Sequence, residues 1–385
     1  MPVNHTSLLM AGASLIALIA QALMGAAMLH FFTPTAAGHF AVVAQVAFFW
    51  VTLALAQSPL QFLADAHLPP QRALRAALRA SLLRWILLLP LVAAALWWSS
   101  PVLPLTTVVA WAGLLALLQM GWYLAQPWVL RTASPMSAAC VRTAPPLLAL
   151  ALAAGLGMRG NADNATGLLA AAACGYAVGA LWLLHGSRTD HPPQSAARQS
   201  DGRSALLRMA HAVMDAVAGV ALVLAWQRQH GTADASYLAV LLRLFGLMPA
   251  IVHAAWSQVL LAQARPSRLK SLGVGMGAAL VTGLIGLGSA AVLQTTLLAP
   301  TWQGLLPYIL PIMLWQGSAC IFAALSHRPF QQGLARRYSL LTIGFNIMQI
   351  MVLLAPLGWT PQVHLWWLAG LCTTGLLMLS AWMAK

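Results

Sequence analysis

Apolar residues run along the chain in stretches of about 20, separated by short clusters rich in Arg, Pro, Gly, Asn and His. A run of roughly 20 predominantly apolar residues matches the hydrocarbon core of a bilayer, so each stretch reads as a membrane-spanning helix. Taking the runs between charges and turn residues predicts twelve spans, near 8–29, 40–63, 82–99, 103–125, 136–157, 166–185, 205–226, 237–262, 272–294, 303–325, 338–356 and 363–383. The expected fold class is an all-α polytopic membrane protein of about 12 transmembrane helices. The first run, Leu8 to Met28, follows no Lys or Arg and exceeds a signal-peptide core, so it reads as a retained span. Pro90, Pro249, Pro307 and Pro311 fall inside predicted spans and are expected to kink them.

The longest polar stretch, His185 to Ser204, follows span six and splits the pattern into six plus six. The predicted organisation is a six-helix bundle over 1–186, a cytoplasmic linker over 187–204 and a second bundle over 205–385. Sliding the second half over the first by 198 places the hairpin Ser7–Ala66 on Ala205–Ala264 without a gap. The equal hairpin lengths argue for an internal repeat. Six spans separate the copies, so a pseudo-two-fold axis would run along the membrane normal, and transporters built this way bind substrate near the midplane between repeats.

Charge sets the orientation. Of 20 basic residues, seventeen lie in even-numbered connections or at the C-terminus, two (Arg159 and Arg228) lie in odd-numbered ones, and Arg243 lies inside a span. The positive-inside rule therefore predicts both termini in the cytoplasm. The same dispersed charges account for the net +14 through contact with anionic lipid headgroups, with no call for nucleic acid. Trp97, Trp98, Trp302, Trp359, Trp366 and Trp367 near span ends are expected at the interface.

Composition then narrows the chemistry. Only 7% of residues are charged; the acids are six Asp, with no Glu, and the only lysines are Lys270 and Lys385. Neither lysine has a Gly-Lys-Ser/Thr context, which excludes a P-loop NTPase, and a site of several carboxylates has almost no raw material. Cys140, Cys174, Cys320 and Cys372 each stand alone in an apolar run and read as small buried packers. No metal, cofactor or enzymatic chemistry is expected.

Ionisable groups inside a span are costly and mark candidate function. Arg208, His211 and Asp215 of span seven share one helical face, through spacings of three and four. Arg243 lies deep in span eight, with His253 further along. First-half counterparts are milder: Ser14, Gln21 and Gly25 share a face of span one, and Gln45 aligns with Arg243. Arg208 could equally snorkel, and Asp215 could be a structural partner for Arg208 or His211. Gly273-x-x-x-Gly277 reads as a close helix contact. Guanidinium groups in a dry cavity suit an anion bound bidentately, a phosphate above all.

At this point the chain resembles the multidrug/oligosaccharidyl-lipid/polysaccharide exporter superfamily, and within it the Wzx-type polysaccharide flippases. The likeness is carried by Tyr237-Leu-Ala-Val-Leu-Leu-Arg-Leu-Phe-Gly-Leu-Met-Pro249 with Ser257-Gln-Val-Leu, and by Gln331-Gln-Gly-Leu-Ala-Arg-Arg, Asn346 and Leu353-Leu-Ala-Pro-Leu-Gly358. The resemblance implies an inner-membrane flippase working by alternating access. It would move an undecaprenyl-pyrophosphate-linked oligosaccharide to the outer leaflet for O-antigen or exopolysaccharide assembly. Implied partners are the lipid-linked glycan, membrane lipids, a polysaccharide polymerase and glycosyltransferases. The substrate-binding candidates are then Arg243, Arg208, His211, Asp215, Asn346 and Arg142. A major-facilitator exporter is the rival, since Leu63-Ala64-Asp65 followed by Arg72 and Arg75 is similar to that family's loop between spans two and three. A membrane glycan polymerase or glycosyltransferase would need a sizeable outer loop with acids, whereas the outer connections are short and hold only Asp163 and Asp234.

Overall fold

Proline opens four of the long helices in the computed structural model of the chain, which describes residues 5–56, 58–59, 62, 69–99, 103–184, 202–253, 268–295, 300–355 and 358–384; side chains are described from 9 and, in the second half, from 210. The helices are α1 (His5–Phe31), α2 (Pro34–Leu55), α3 (Pro70–Trp98), α4 (Leu105–Thr132), α5 (Pro135–Met158), α6 (Ala165–Leu181), α7 (Gly202–His230), α8 (Thr232–Phe245), α9 (Arg268–Leu293), α10 (Leu306–Leu325), α11 (Ala335–Leu354) and α12 (Pro361–Ala384). Among the described residues, twelve helices are long and apolar enough to cross a membrane. The all-α polytopic reading holds, and the two halves form pseudo-symmetric helix bundles.

Several ends fall earlier than the hydrophobic pattern placed them. Pro34, Pro70, Pro135 and Pro361 each occupy the first helical position, where the missing N–H would be unpaired anyway and φ is already helical. Pro307, expected to kink span ten, instead lies in the first turn of α10. Span eight breaks at Gly246 and resumes as a short helix, Leu247–Ile251, carrying Pro249. The linker 187–204 falls largely outside the described residues, as does Ser257-Gln-Val-Leu.

The chain divides into two compact units, residues 1–24 with 42–209, and residues 25–41 with 210–385. In the first, α4, α5 and α6 pack tightly around a proline device. Pro145 lacks the N–H that would reach the Val141 carbonyl one turn back, and the Trp122 indole Nε1 on α4 donates to that carbonyl at 2.7 Å. Gly175 and Gly179 let α6 settle here: a Cβ on Gly175 would meet the Pro145 carbonyl oxygen at 2.5 Å, and one on Gly179 would strike Trp122. Elsewhere in this unit Trp50 stacks on Trp85 at 4.9 Å and donates to its carbonyl at 2.9 Å. Arg84 donates to the last carbonyls of α2, Ala54 and Leu55, at 2.9 and 3.0 Å.

In the second unit α9 packs on α10, though not through the glycines that spacing suggested. Gly273 and Gly277 face open space. The packed stripe is Ser271, Gly275, Ala278, Thr282 and Gly286. A Cβ on Gly275 would lie 2.9 Å from Ile321 Cα, and one on Gly286 would lie 2.5 Å from Met313 sulfur. A GxxxG spacing marks a smooth face, and here a neighbouring face of the same helix does the packing. Trp302 is fully buried, not interfacial, and its indole donates to the Phe32 carbonyl at 2.8 Å. Trp97, Trp366 and Trp367 are exposed. Cys320 and Cys372 are buried as expected, whereas Cys174 is exposed.

The glycine contacts give a stability test. Gly175→Ala should lower the melting temperature of the detergent-solubilised protein, by an overpacking cost of about 1–3 kcal/mol. Gly277→Ala, which adds a Cβ in open space, should leave it unchanged or raise it through helix propensity. Size-exclusion profiles after a heating series distinguish the two.

Candidate functional site

The second unit gathers polar side chains onto one carboxylate. His211 and Asp215 lie four residues apart on α7, and their side chains meet, with His211 Nε2 donating to Asp215 Oδ2 at 3.2 Å. Across the bundle α11 presents a stripe at four-residue spacing: Tyr338, Thr342 and Asn346, all buried. Asn346 Nδ2 donates to Asp215 Oδ1 at 2.6 Å. The edge of the His211 ring meets the Tyr338 ring at 5.6 Å, and Tyr338 is wedged between Phe322 and Phe330. The supporting groups are thus held by packing while the carboxylate stays open: the Asp215 side chain is 56% exposed against 18% for His211.

Other predicted site residues lie apart from this group. Asp215 takes its two partners from Asn346 and His211, so Arg243 is not its counter-ion. The Arg243 guanidinium instead lies 5.5 Å from the Phe40 ring centroid, and its stem runs past Gly25, where a Cβ would come within 3.6 Å of Arg243 Cδ. It is half-buried along apolar and aromatic surface. The helix bearing Arg208 is described but its side chain is not.

Arg142 belongs to the first unit. On the first turns of α5, it donates through Nη1 to Ser14 Oγ of α1 at 2.7 Å, and Ser14 in turn donates to the Met10 carbonyl at 2.9 Å. Arg142 lines a cavity of about 330 Å³ with Met10, Leu55, Tyr123, Gln126 and Leu130 among its neighbours.

The two halves therefore share a device. In each, the first helix is tied to the fifth by one polar contact: Ser14 to Arg142 in the first unit, Asp215 to Asn346 in the second. Sequence reading placed Ser14 on a polar face of span one and named Asn346 and Arg142, but missed Tyr338 and the cavity-lining Tyr123 and Gln126. The Tyr338–Thr342–Asn346 stripe was the available signal for the first; nothing in spacing marks the others. Chemically, an open carboxylate fixed by two N–H donors can take up and release a proton. A metal ion would find those donors facing it and few oxygens to bind.

No family profile matches the chain, and neither does any curated protein sequence. Solved structures do match in fold. An inward-facing multidrug resistance MATE family transporter of the MOP superfamily aligns at 13% identity with TM-score 0.55, over 100% of this chain and 94% of that one. The outward-facing conformation of such a transporter aligns at 13% identity and TM-score 0.55, over 98% and 94%. A MATE structure in the straight conformation aligns at 14% identity and TM-score 0.56, over 100% and 98%. The fold is thus the twelve-helix fold of these transport proteins.

These matches correct the expected assignment. The likeness lies with MATE transporters, which overturns the Wzx-type flippase reading, the O-antigen and exopolysaccharide export attached to it, and the major-facilitator alternative. Physical reasons are visible in hindsight. The longest motif quoted for the flippase, Tyr237–Pro249, is a Leu-rich stretch of a kind that any packed span can carry. The open side chain at the polar cluster of the second unit is an acid, Asp215, rather than a base.

The Asp215 contacts can be weighed by a double-mutant cycle. Asn346→Leu should destabilise the protein by about 1 kcal/mol, the lower end for a hydrogen bond to a charged group because Asp215 is half-exposed. Asn346→Leu with Asp215→Leu should recover most of that loss in thermal melts, since both partners are then removed.

Proposed function

We propose that this protein exports organic compounds from the bacterial cytoplasm across the inner membrane by alternating access, in exchange for protons that enter on Asp215. The observation that carries the reading is the whole-length fold likeness to MATE transporters, in inward- and outward-facing conformations alike. Those proteins are multidrug resistance transporters, and export of toxic compounds comes to this chain by that likeness. The charge asymmetry of the loops supports cytoplasmic termini. Asp215 is the fourteenth of the 29 residues of α7, midway along that helix.

Asp215 supports proton rather than metal-ion exchange. With the carboxylate ionised, Asn346 and His211 both donate to it. A proton arriving at Oδ2 displaces the His211 N–H, a contact within α7, and removes the negative charge that strengthens the Asn346 bond joining α7 to α11. Release restores both bonds. A switch of this kind needs a single acid, which suits a chain with six acids in all.

The test uses everted membrane vesicles from a strain lacking its own efflux pumps, with an imposed pH gradient and a panel of organic anions, cations and neutral compounds. At least one compound should collapse the gradient when the protein is present. Asp215→Asn, which cannot release a proton, should reduce that exchange at least tenfold while reaching the membrane in normal amount. If no compound dissipates the gradient, or if Asp215→Asn exchanges as well as the wild type, the reading fails.

A further inference from the structure

The cavity beside Arg142 takes no part in proton exchange at Asp215, and its chemistry is of the opposite sign. It is bordered by the start of α1, the end of α2, the end of α4 and the start of α5. Because successive spans cross in alternate directions, these four ends share one side of the membrane, the cytoplasmic side by the charge count. Its volume of about 330 Å³ falls at the small end of the roughly 300–1,000 Å³ range of ligand pockets.

We propose that this cavity binds a compact amphiphilic anion, an apolar body carrying one carboxylate, sulfonate or phosphate group, with Arg142 as its anchor. The polar groups on the wall are mostly donors. Arg142 has five N–H groups, and the one hydrogen bond described for it goes to Ser14. The Tyr123 oxygen accepts from Gln119 at 3.5 Å, which leaves its own proton to give. Gln126 adds an amide. Thr52 is on the wall too, but its hydroxyl is committed to the Phe48 carbonyl at 2.7 Å. No Asp or Glu is among the described lining residues. The rest of the wall is apolar.

Each ligand class meets this wall differently. A cation would face a guanidinium at close range. A neutral compound would shield Arg142 from water without balancing its charge, which is costly. An amphiphilic anion supplies the missing charge and buries its body against Met10, Leu55 and Leu130. The Ser14 bond holds the guanidinium in place before the ligand arrives, which reduces the ordering cost of binding. The rim shows strain as well: Ala56, with φ 47°, is the positive-φ non-glycine among the described residues, and it lines this cavity.

This inference names a substrate class for the exporter proposed above and rests on that reading for transport, but binding can be measured without a gradient. The full-length protein in phosphatidylcholine nanodiscs would be titrated with naphthalene-2-carboxylate and with the neutral naphthalene-2-carboxamide. The carboxylate should bind at least tenfold more tightly. Arg142→Gln should bring it down to the level of the amide. Arg142→Lys, which keeps the charge and loses the fork, should fall between. Gln126→Leu should weaken it a few-fold and serves if Arg142→Gln does not fold. Nanodiscs containing phosphatidylglycerol separate two sources of the anion. Unchanged naphthoate binding there supports a soluble organic acid, and displacement supports a lipid headgroup. Equal affinity for acid and amide, or undiminished acid binding by a folded Arg142→Gln, overturns the site. Failure of proton exchange in vesicles with these affinities intact would overturn the exporter reading alone.

Discussion

A backbone carbonyl exposed to hydrocarbon has no water to turn to, and this constraint organises the molecule more than any single charge. Helix ends and prolines create such orphans, and side chains from neighbouring helices answer them. Trp122 takes the Val141 carbonyl that Pro145 leaves open. In the second unit Gln229 of α7 donates to the Leu353 carbonyl at 2.8 Å, and His364 of α12 reaches the Val352 carbonyl at 3.2 Å, so the last turn of α11 is capped from two sides. Trp302 does the same for Phe32. Each such bond fixes the height and rotation of one helix against another, which hydrophobic contact alone leaves loose in lipid. Indole and amide groups suit the task because they bring a directional donor on a largely apolar body.

How much of this was legible in the sequence depends on what each residue's role requires. Span number and the six-plus-six repeat follow from the length and spacing of apolar runs, which the bilayer dictates. Span starts were less legible because Pro34, Pro70, Pro135 and Pro361 read equally well as breakers between helices and as first residues within them. The role of a small residue is set by what lies opposite. Thus Gly273 and Gly277 carry the familiar spacing while Gly275 and Gly286 make the contacts. Trp302 has the position of an interface anchor and the burial of a core residue. The polar network around Asp215 was half legible: its α7 half lies within one turn of sequence, but Asn346 is 131 residues away, and only the fold brings it near. The likeness to MATE rather than Wzx-type transporters was not legible at all, since runs such as Leu-Ala-Val-Leu-Leu are what packing in lipid demands of any span.

The second unit is graded along its length. At the end formed by α7, α8, α10 and α12, Trp226 packs against His230 and His364 at 4.6 and 4.9 Å, and the two imidazoles share a 3.0 Å hydrogen bond. With His364 Nε2 directed to the Val352 carbonyl, its Nδ1 is the acceptor, so His230 is the donor. Tyr308 donates to Asp234 beside them, and Tyr237 packs on both Tyr308 and Trp302. Trp226, Trp302 and Tyr308 are essentially inaccessible. This end is closed by aromatic packing; its imidazoles and Tyr308 are hydrogen-bonded internally, while the buried Trp226 indole N–H has no hydrogen-bond partner among the described residues. Towards the other end, Asp215 is half-exposed with one donor from each of two helices. Tight aromatic packing keeps the helices of that end together.

The inversion of charge between the two halves follows from the same economy of polar groups. A repeat needs some polar tie between its first and fifth helices, but symmetry of backbone does not fix which partner carries the charge. In the first unit the charge sits on α5 as Arg142, bound to a neutral hydroxyl on α1. In the second it sits on α7 as Asp215, bound to a neutral amide on α11. A guanidinium stays charged at any physiological pH, so the first tie is fixed in sign and can only exchange one hydrogen-bonding partner for another. A carboxyl group, unlike a guanidinium, can also be neutral, so the second tie is not bound to one charge. The two ties therefore place a cation and an acid at equivalent positions of the repeat. Backbone symmetry thus leaves each half free to carry its own polar chemistry at the same position.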